Sequence, residues 1–227
     1  MATLVHNRSI ALTLCNIKKM TPEQNKSKKQ IIYFLKKNFP MEAAKGVRFD
    51  LKEYSIIEKG KFLKNIYTWK LTEFDFHSYF LSIRNSYKEE VSGTGGESMI
   101  MADVEIKHNA VIMTTDFSLP ELTIRPAYFR EKFANLFLSF DIKLNDRKSF
   151  NKKYILESSS NESKLEKTLT HNLTNELIKY DEFSLEFKNN TILLLFNKEF
   201  NEKDSVNLIK IGKIIETEIK NVAQHRL

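Results

Sequence analysis

Residues able to do chemistry are few in this chain, and they are scattered. The nearest thing to a phosphate cradle is Gly93-Thr94-Gly95-Gly96. Nucleotide loops hold such glycines between a strand and a helix N-terminus, often ahead of Lys and Ser or Thr, so that helix amides and an ammonium meet the phosphate. Here Glu97-Ser98 follows and the chain enters a β-prone run, so the cluster reads as a flexible hairpin tip. The five histidines, His6, His77, His108, His171 and His225, include no two at helical ligand spacing. With Cys15 as the single thiol, no zinc ligand set is expected. Phe74-Asp75-Phe76-His77 brings an acid within two residues of a base, but alternation on a strand makes that pair a solvated polar face behind two buried phenylalanines. Cys15 has no positioned base beside it, Glu89-Glu90 and Asp181-Glu182 fall at turns or strand starts, and no Gly-x-Ser-x-Gly elbow is present. No catalytic residue, metal site or cofactor is expected, and the chain reads as a non-enzyme.

Charge is the feature the sequence does concentrate. Lys and Arg number 36 against 29 Asp and Glu, a net charge of +7. The whole excess lies in the first 45 residues, where Arg8, Lys18, Lys19, Lys26, Lys28, Lys29, Lys36, Lys37 and Lys45 face only Glu23 and Glu42. A neutral body behind a positive N-terminal segment gives salt-sensitive attraction to anionic surfaces. Specific nucleic-acid recognition is not expected, because the body carries neither a basic stripe nor a recognition signature. One cysteine forms no internal disulfide, so a cytoplasmic location is the default. Ile10 to Cys15 is too short for a secretory signal, and no run approaches the roughly 18 apolar residues that span a bilayer.

The elements that must position these residues follow from periodicity. Thr21-Pro22-Glu23-Gln24 combines an N-cap, a first-turn Pro and a capping-box Gln, and predicts a helix to about Asn38. Ile31, Phe34, Leu35 and Phe39 share one side of it, and lysines occupy much of the rest, which makes it a basic amphipathic helix. Ile66 to Lys70, Phe74 to Arg84 and Met99 to Thr115 read as hairpin-linked strands. Leu122 to Ile124 is a short extended piece stopped by Pro126, and Tyr128 to Leu138 is expected to be helical. Tyr154 to Leu156 is strand-like, and Leu165, Leu169, Leu173, Leu177 and Ile178 mark a helix of about four turns. Phe183 to Phe187 and Thr191 to Phe196 flank Lys188-Asn189-Asn190 as a hairpin, and a final long helix capped by Asp204 or Ser205 runs through Val222. The fold class is α+β: a mainly antiparallel sheet covered by helices, with an N-terminal amphipathic helix and a long C-terminal one. Residues 1–45 form the basic segment and residues 46–227 one domain, with 46–117 and 118–227 as candidate subdomains.

Leu119-Pro120-Glu121-Leu122-Thr123-Ile124-Arg125-Pro126, Asp141-Ile142-Lys143-Leu144, Phe150 to Leu156 and Leu193-Leu194-Leu195-Phe196 resemble a widespread, functionally uncharacterised bacterial family. The resemblance covers about residues 50 to 215. It implies a soluble α+β domain, often preceded by two N-terminal transmembrane helices, which are absent here, and it carries no active site to transfer. Arg125, extended ahead of Pro126, is expected to find a carboxylate partner.

The leading expectation is a non-enzymatic interaction protein, peripheral to the cytoplasmic membrane through its basic helix. Lys26, Lys28, Lys29, Lys36 and Lys37 attract the anionic surface in that reading, and Ile31, Phe34 and Leu35 insert or dock. Each basic side chain contributes on the order of 1 kcal/mol beside an anionic leaflet. The alternative is a soluble module that binds a protein partner or small ligand, and an unrecognised enzyme ranks third.

Overall fold

The computed structural model describes residues 22–57, 62–92, 99–127, 141–196 and 201–224. Helix α1 (Pro22–Asn38) leads through β1 (Met41–Ala43) and a single 3₁₀ turn at Leu51–Glu53 into β2 (Phe62–Leu71), β3 (His77–Ser92), β4 (Met99–Thr114) and β5 (Leu122–Pro126). Then come α2 (Lys148–Lys153), β6 (Tyr154–Glu157), α3 (Glu162–Thr168), α4 (His171–Leu177), β7 (Phe183–Lys188), β8 (Thr191–Phe196) and α5 (Glu202–Gln224). The strands form one sheet in the order β1-β2-β3-β4-β8-β7-β5-β6, antiparallel at each neighbouring pair. β4 joins β8, far along the chain, so the sheet is continuous from the first described strand to the last.

Side-chain alternation sends two cores to opposite faces of the sheet. Phe80, Val111, Met113, Ile192, Leu194 and Phe183 enter the larger core, beneath the helices. Their chain neighbours Leu81, Ala110, Ile112, Leu193 and Leu195 enter a smaller one, closed by Leu51, Tyr54 and Ile57. A strand covered on both faces must be apolar at successive positions, which is why Ile192-Leu193-Leu194-Leu195-Phe196 is an unbroken buried run. The β7–β8 turn is Asn189-Asn190, with Asn189 at φ 56°, a left-handed conformation that Asn tolerates.

Helix α5 lies across the larger core through Leu208, Ile209, Ile211, Ile215 and Ile219. Gly212 permits a close approach: a Cβ there would stand 3.3 Å from Val111 Cγ1. α1 packs beside α5 and contributes Ile31 and Leu35 to the same core.

Three expectations change at this level. The strand predicted from Phe74 starts at His77; residues 72–76 form a turn, because Phe74 packs beside Gly212 and the Phe76 amide donates to Glu216 Oε1 at 2.6 Å. The four-turn helix through Leu165 and Leu177 is two helices. Thr170 breaks it by accepting from the Leu173 amide at 3.1 Å and capping a new start. Leu165, Leu169, Leu173 and Leu177 are all buried, so the apolar spacing survives the break. The cap of α5 is Asn201, whose Oδ1 accepts from the Asp204 amide at 2.8 Å, in place of Asp204 or Ser205. The Gly93–Gly96 cluster, the helix expected at Tyr128 to Leu138, Cys15, His6 and His225 lie outside the described residues.

Candidate functional site

The sequence-predicted contact residues sit on α1, and the packing of that helix sorts them. Ile31 is 6% exposed and Leu35 fully buried, and Phe34 is half-buried at the flank. With α1 seated, Ile31 and Leu35 are therefore core residues and are not presented for insertion into a bilayer, a correction that follows from their contact with the sheet and α5. At 100° per residue, positions 26, 29, 33 and 37 lie within about 60° of the direction opposite Leu35. Lys28 stands on the core-facing side, one turn before Ile31 and Ile32. Of Lys26, Lys28 and Lys29 only the backbone position on α1 is described.

Tyr33, which the sequence reading passed over, is 74% exposed, and Lys37 beside it is exposed. Lys36 reaches sideways and places Nζ 4.0 Å from the centroid of the Trp69 ring on β2, a cation–π contact that ties the last turn of α1 to the sheet. Lys36 and Lys37 also lie in that last turn, where the helix dipole favours positive charge. Tyr67, two residues before Trp69, is 51% exposed. Tyr33 and Tyr67 are the large apolar side chains exposed among the described residues, and both belong to the α1–β2 edge. That edge combines cationic and amphipathic aromatic groups, the composition favoured where protein meets a polar interface.

A second feature lies on the opposite face of the sheet. An open groove of about 620 Å³ is lined by Glu121, Thr123, Arg125, Glu157, Ser158, Ser159, Glu186 and Lys188. Register builds it: Thr123 on β5 pairs with Glu157 on β6 and with Glu186 on β7, so one row across three strands reads Glu186, Thr123, Glu157. Glu186 is 7% exposed, and its Oε2 accepts from Ser55 Oγ at 2.8 Å and from the Ile56 amide at 3.0 Å, which anchors the loop over the smaller core. Arg125 finds the expected carboxylate: Nη2 and Nε donate to Glu157 Oε1 at 2.9 and 3.3 Å. Lys188 Nζ donates to the Glu53 carbonyl at 2.9 Å and stands 3.7 Å from its carboxylate. Ser159 Oγ donates to Glu121 Oε2 at 3.1 Å. Beside the groove, burial pushes the Tyr54 phenol above its ordinary pKa. Sequence reasoning found Arg125 but missed this row, whose members are 34 and 29 residues apart; the available signal was a lone Glu inside Phe183-Ser184-Leu185-Glu186-Phe187.

Two further carboxylates, Asp75 and Glu216, tie the turn before β3 to α5. Asp75 pairs with Lys220 of α5 rather than with His77; the Lys220 hydrogen bond holds the Asp75 carboxyl below its ordinary pKa, and the same bond raises that of Lys220. Glu216 is buried and also accepts from Lys213 Nζ at 2.7 Å. Among the described residues no three His, Cys, Asp or Glu side chains converge as metal ligands, and no helix is long and apolar enough to cross a membrane. No family model matches the chain, and no curated protein or solved structure matches it.

Proposed function

We propose that the protein is a non-enzymatic interaction protein that docks on an anionic surface, the cytoplasmic face of a membrane, through the outer face of α1 and the adjoining edge of β2. The observation that carries this reading is the orientation of α1, with Ile31 and Leu35 buried and Tyr33 and Lys37 outward. Docking then requires no detachment of the helix. Lys26, Lys29 and Lys37 supply long-range attraction, Lys36 braces the helix on Trp69, and Tyr33 and Tyr67 settle at headgroup depth. The resemblance to a family whose members often place two membrane helices ahead of an α+β domain points the same way.

Sedimentation of the full chain with anionic and with neutral vesicles, across a salt series, tests the proposal. Preferential pelleting with anionic vesicles, weakening as salt rises, is the expected result. Equal partition to both vesicle types would remove it. Deleting residues 1–45 is a poor test, because the deletion also strips Leu35 and Ile31 from the core.

A further inference from the structure

We infer that residues 51–57 form a strap that opens as a unit while the sheet beneath it stays folded, with Glu186 as its latch. The strap crosses the sheet on the face away from the helices and sets Leu51, Tyr54 and Ile57 over β3, β4 and β8. Closed, it keeps Leu81, Ile112 and Leu193 out of water; open, it bares an apolar strip. Among the described residues the strap's backbone-to-backbone bonds are internal: the Tyr54 amide donates to the Leu51 carbonyl and the Ile57 amide to the Tyr54 carbonyl, both at 3.4 Å. Besides its apolar side chains, a short set of bonds that each involve a side chain ties it down. Glu186 Oε2 accepts from Ser55 Oγ at 2.8 Å and from the Ile56 amide at 3.0 Å, and Lys188 Nζ donates to the Glu53 carbonyl at 2.9 Å. Bonds to an ionised acceptor are roughly twice as strong as neutral ones. A carboxylate inside Phe183-Ser184-Leu185-Glu186-Phe187 is costly unless bonded, and the donors it meets there belong to the strap.

A sheet with a core on each face makes this opening separable from unfolding. Ladder pairing joins β3, β4 and β8 without the strap. The larger core, which holds α1 and α5 against the other face, contains no strap residue. An element with few backbone ties, lying over a scaffold that is complete without it, opens at a lower free energy than the whole molecule and exposes less surface when it does.

Native-state amide hydrogen exchange of the full chain across low urea concentrations, in the absence of lipid, tests the strap independently of vesicle docking. The Ile56 and Ile57 amides should exchange together, at least about tenfold faster than those of Val111 and Leu194 in the centre of the sheet, and with a weaker urea dependence. Glu186→Gln keeps an acceptor but loses its charge, and should speed Ile56 exchange by about tenfold. Glu157→Gln, which lies in the same row and bonds Arg125 instead of the strap, should leave Ile56 exchange unchanged. Ile56 exchanging at the Val111 rate with the same urea dependence would show that the strap leaves only when the protein unfolds. An Ile56 amide with no protection, equal Ile56 rates in Glu186→Gln and the parent, or an Ile56 rate raised as much by Glu157→Gln as by Glu186→Gln would each overturn the latch.

Discussion

Replacing Leu35 by Ala, with Tyr33→Ala alongside, measures which face of α1 the fold has committed. Leu35 is fully buried among residues of α5 and the sheet, whereas Tyr33, two positions earlier, is 74% exposed. Removal of three buried carbons costs about 2.4 kcal/mol in transfer free energy at roughly 0.8 kcal/mol per carbon. The cavity left between α1 and α5 raises the total to about 3 to 4 kcal/mol. Tyr33→Ala removes a ring that is mostly in water, and should change stability by less than about 0.5 kcal/mol. In urea, with a slope of about 3 kcal/mol per molar for a chain of this size, the midpoint should fall by about 1 M for Leu35→Ala and stay nearly fixed for Tyr33→Ala. Slopes should match, showing that the same surface is exposed on unfolding. Equal midpoint shifts for the two variants, or a Leu35→Ala shift too small to resolve, would refute the packing of α1 and with it the outward placement of Tyr33 and Lys37.

Other consequences are open to direct measurement. Glu216→Leu strands the Phe76 amide and one bond of Lys213, and should cost about 2 to 3 kcal/mol in urea unfolding; Glu216→Gln, which keeps an acceptor, should cost less, and a Leu variant as stable as the parent would contradict the bond. Asp75 has a depressed pKa in the folded state, so its contribution is present above the ordinary carboxyl value and is lost as pH falls through the folded one. Lys220, with a raised pKa, contributes below its ordinary value and loses that contribution as pH rises through the folded one. Thermal melts of Asp75→Asn should accordingly lie closer to the parent at strongly acid pH than at pH 7, and an unchanged gap would count against the pair. Asn189→Val forces a β-branched residue to φ 56° and should destabilise by about 1 to 2 kcal/mol, whereas Asn189→Gly should be close to neutral; calorimetry that ranks them the other way would contradict the turn.

Local pattern made most of the architecture legible. The β7–β8 hairpin was readable because two β-prone apolar segments flank Asn189-Asn190 and leave a two-residue connection, and α1 and α5 were readable from caps and apolar spacing. Pattern failed where a tertiary contact overrode it. Phe74 looked like strand until α5 is in place, since only then does Glu216 take the Phe76 amide and bend the chain. The pair α3 and α4 kept the leucine period of one helix, and a single Thr170 hydroxyl decided otherwise. For the candidate sites the division is similar. Basic positions on α1 were visible in sequence, but which of its faces is spent on the core depended on α5, about 170 residues away. The Glu186–Thr123–Glu157 row depends wholly on strand order, since β5 lies between β7 and β6.

The central claim is that α1 docks the protein on an anionic surface while it remains packed. Vesicle sedimentation of Lys26→Gln/Lys29→Gln/Lys37→Gln, compared with Lys148→Gln/Lys152→Gln/Lys167→Gln on α2 and α3, tests it with the same change in net charge. At about 1 kcal/mol per lysine, the α1 variant should lose roughly 100-fold or more in partition to anionic vesicles at low salt, with the control variant near the parent. Equal losses in the two variants would show that net charge alone attracts the protein, and the α1 docking face would be wrong.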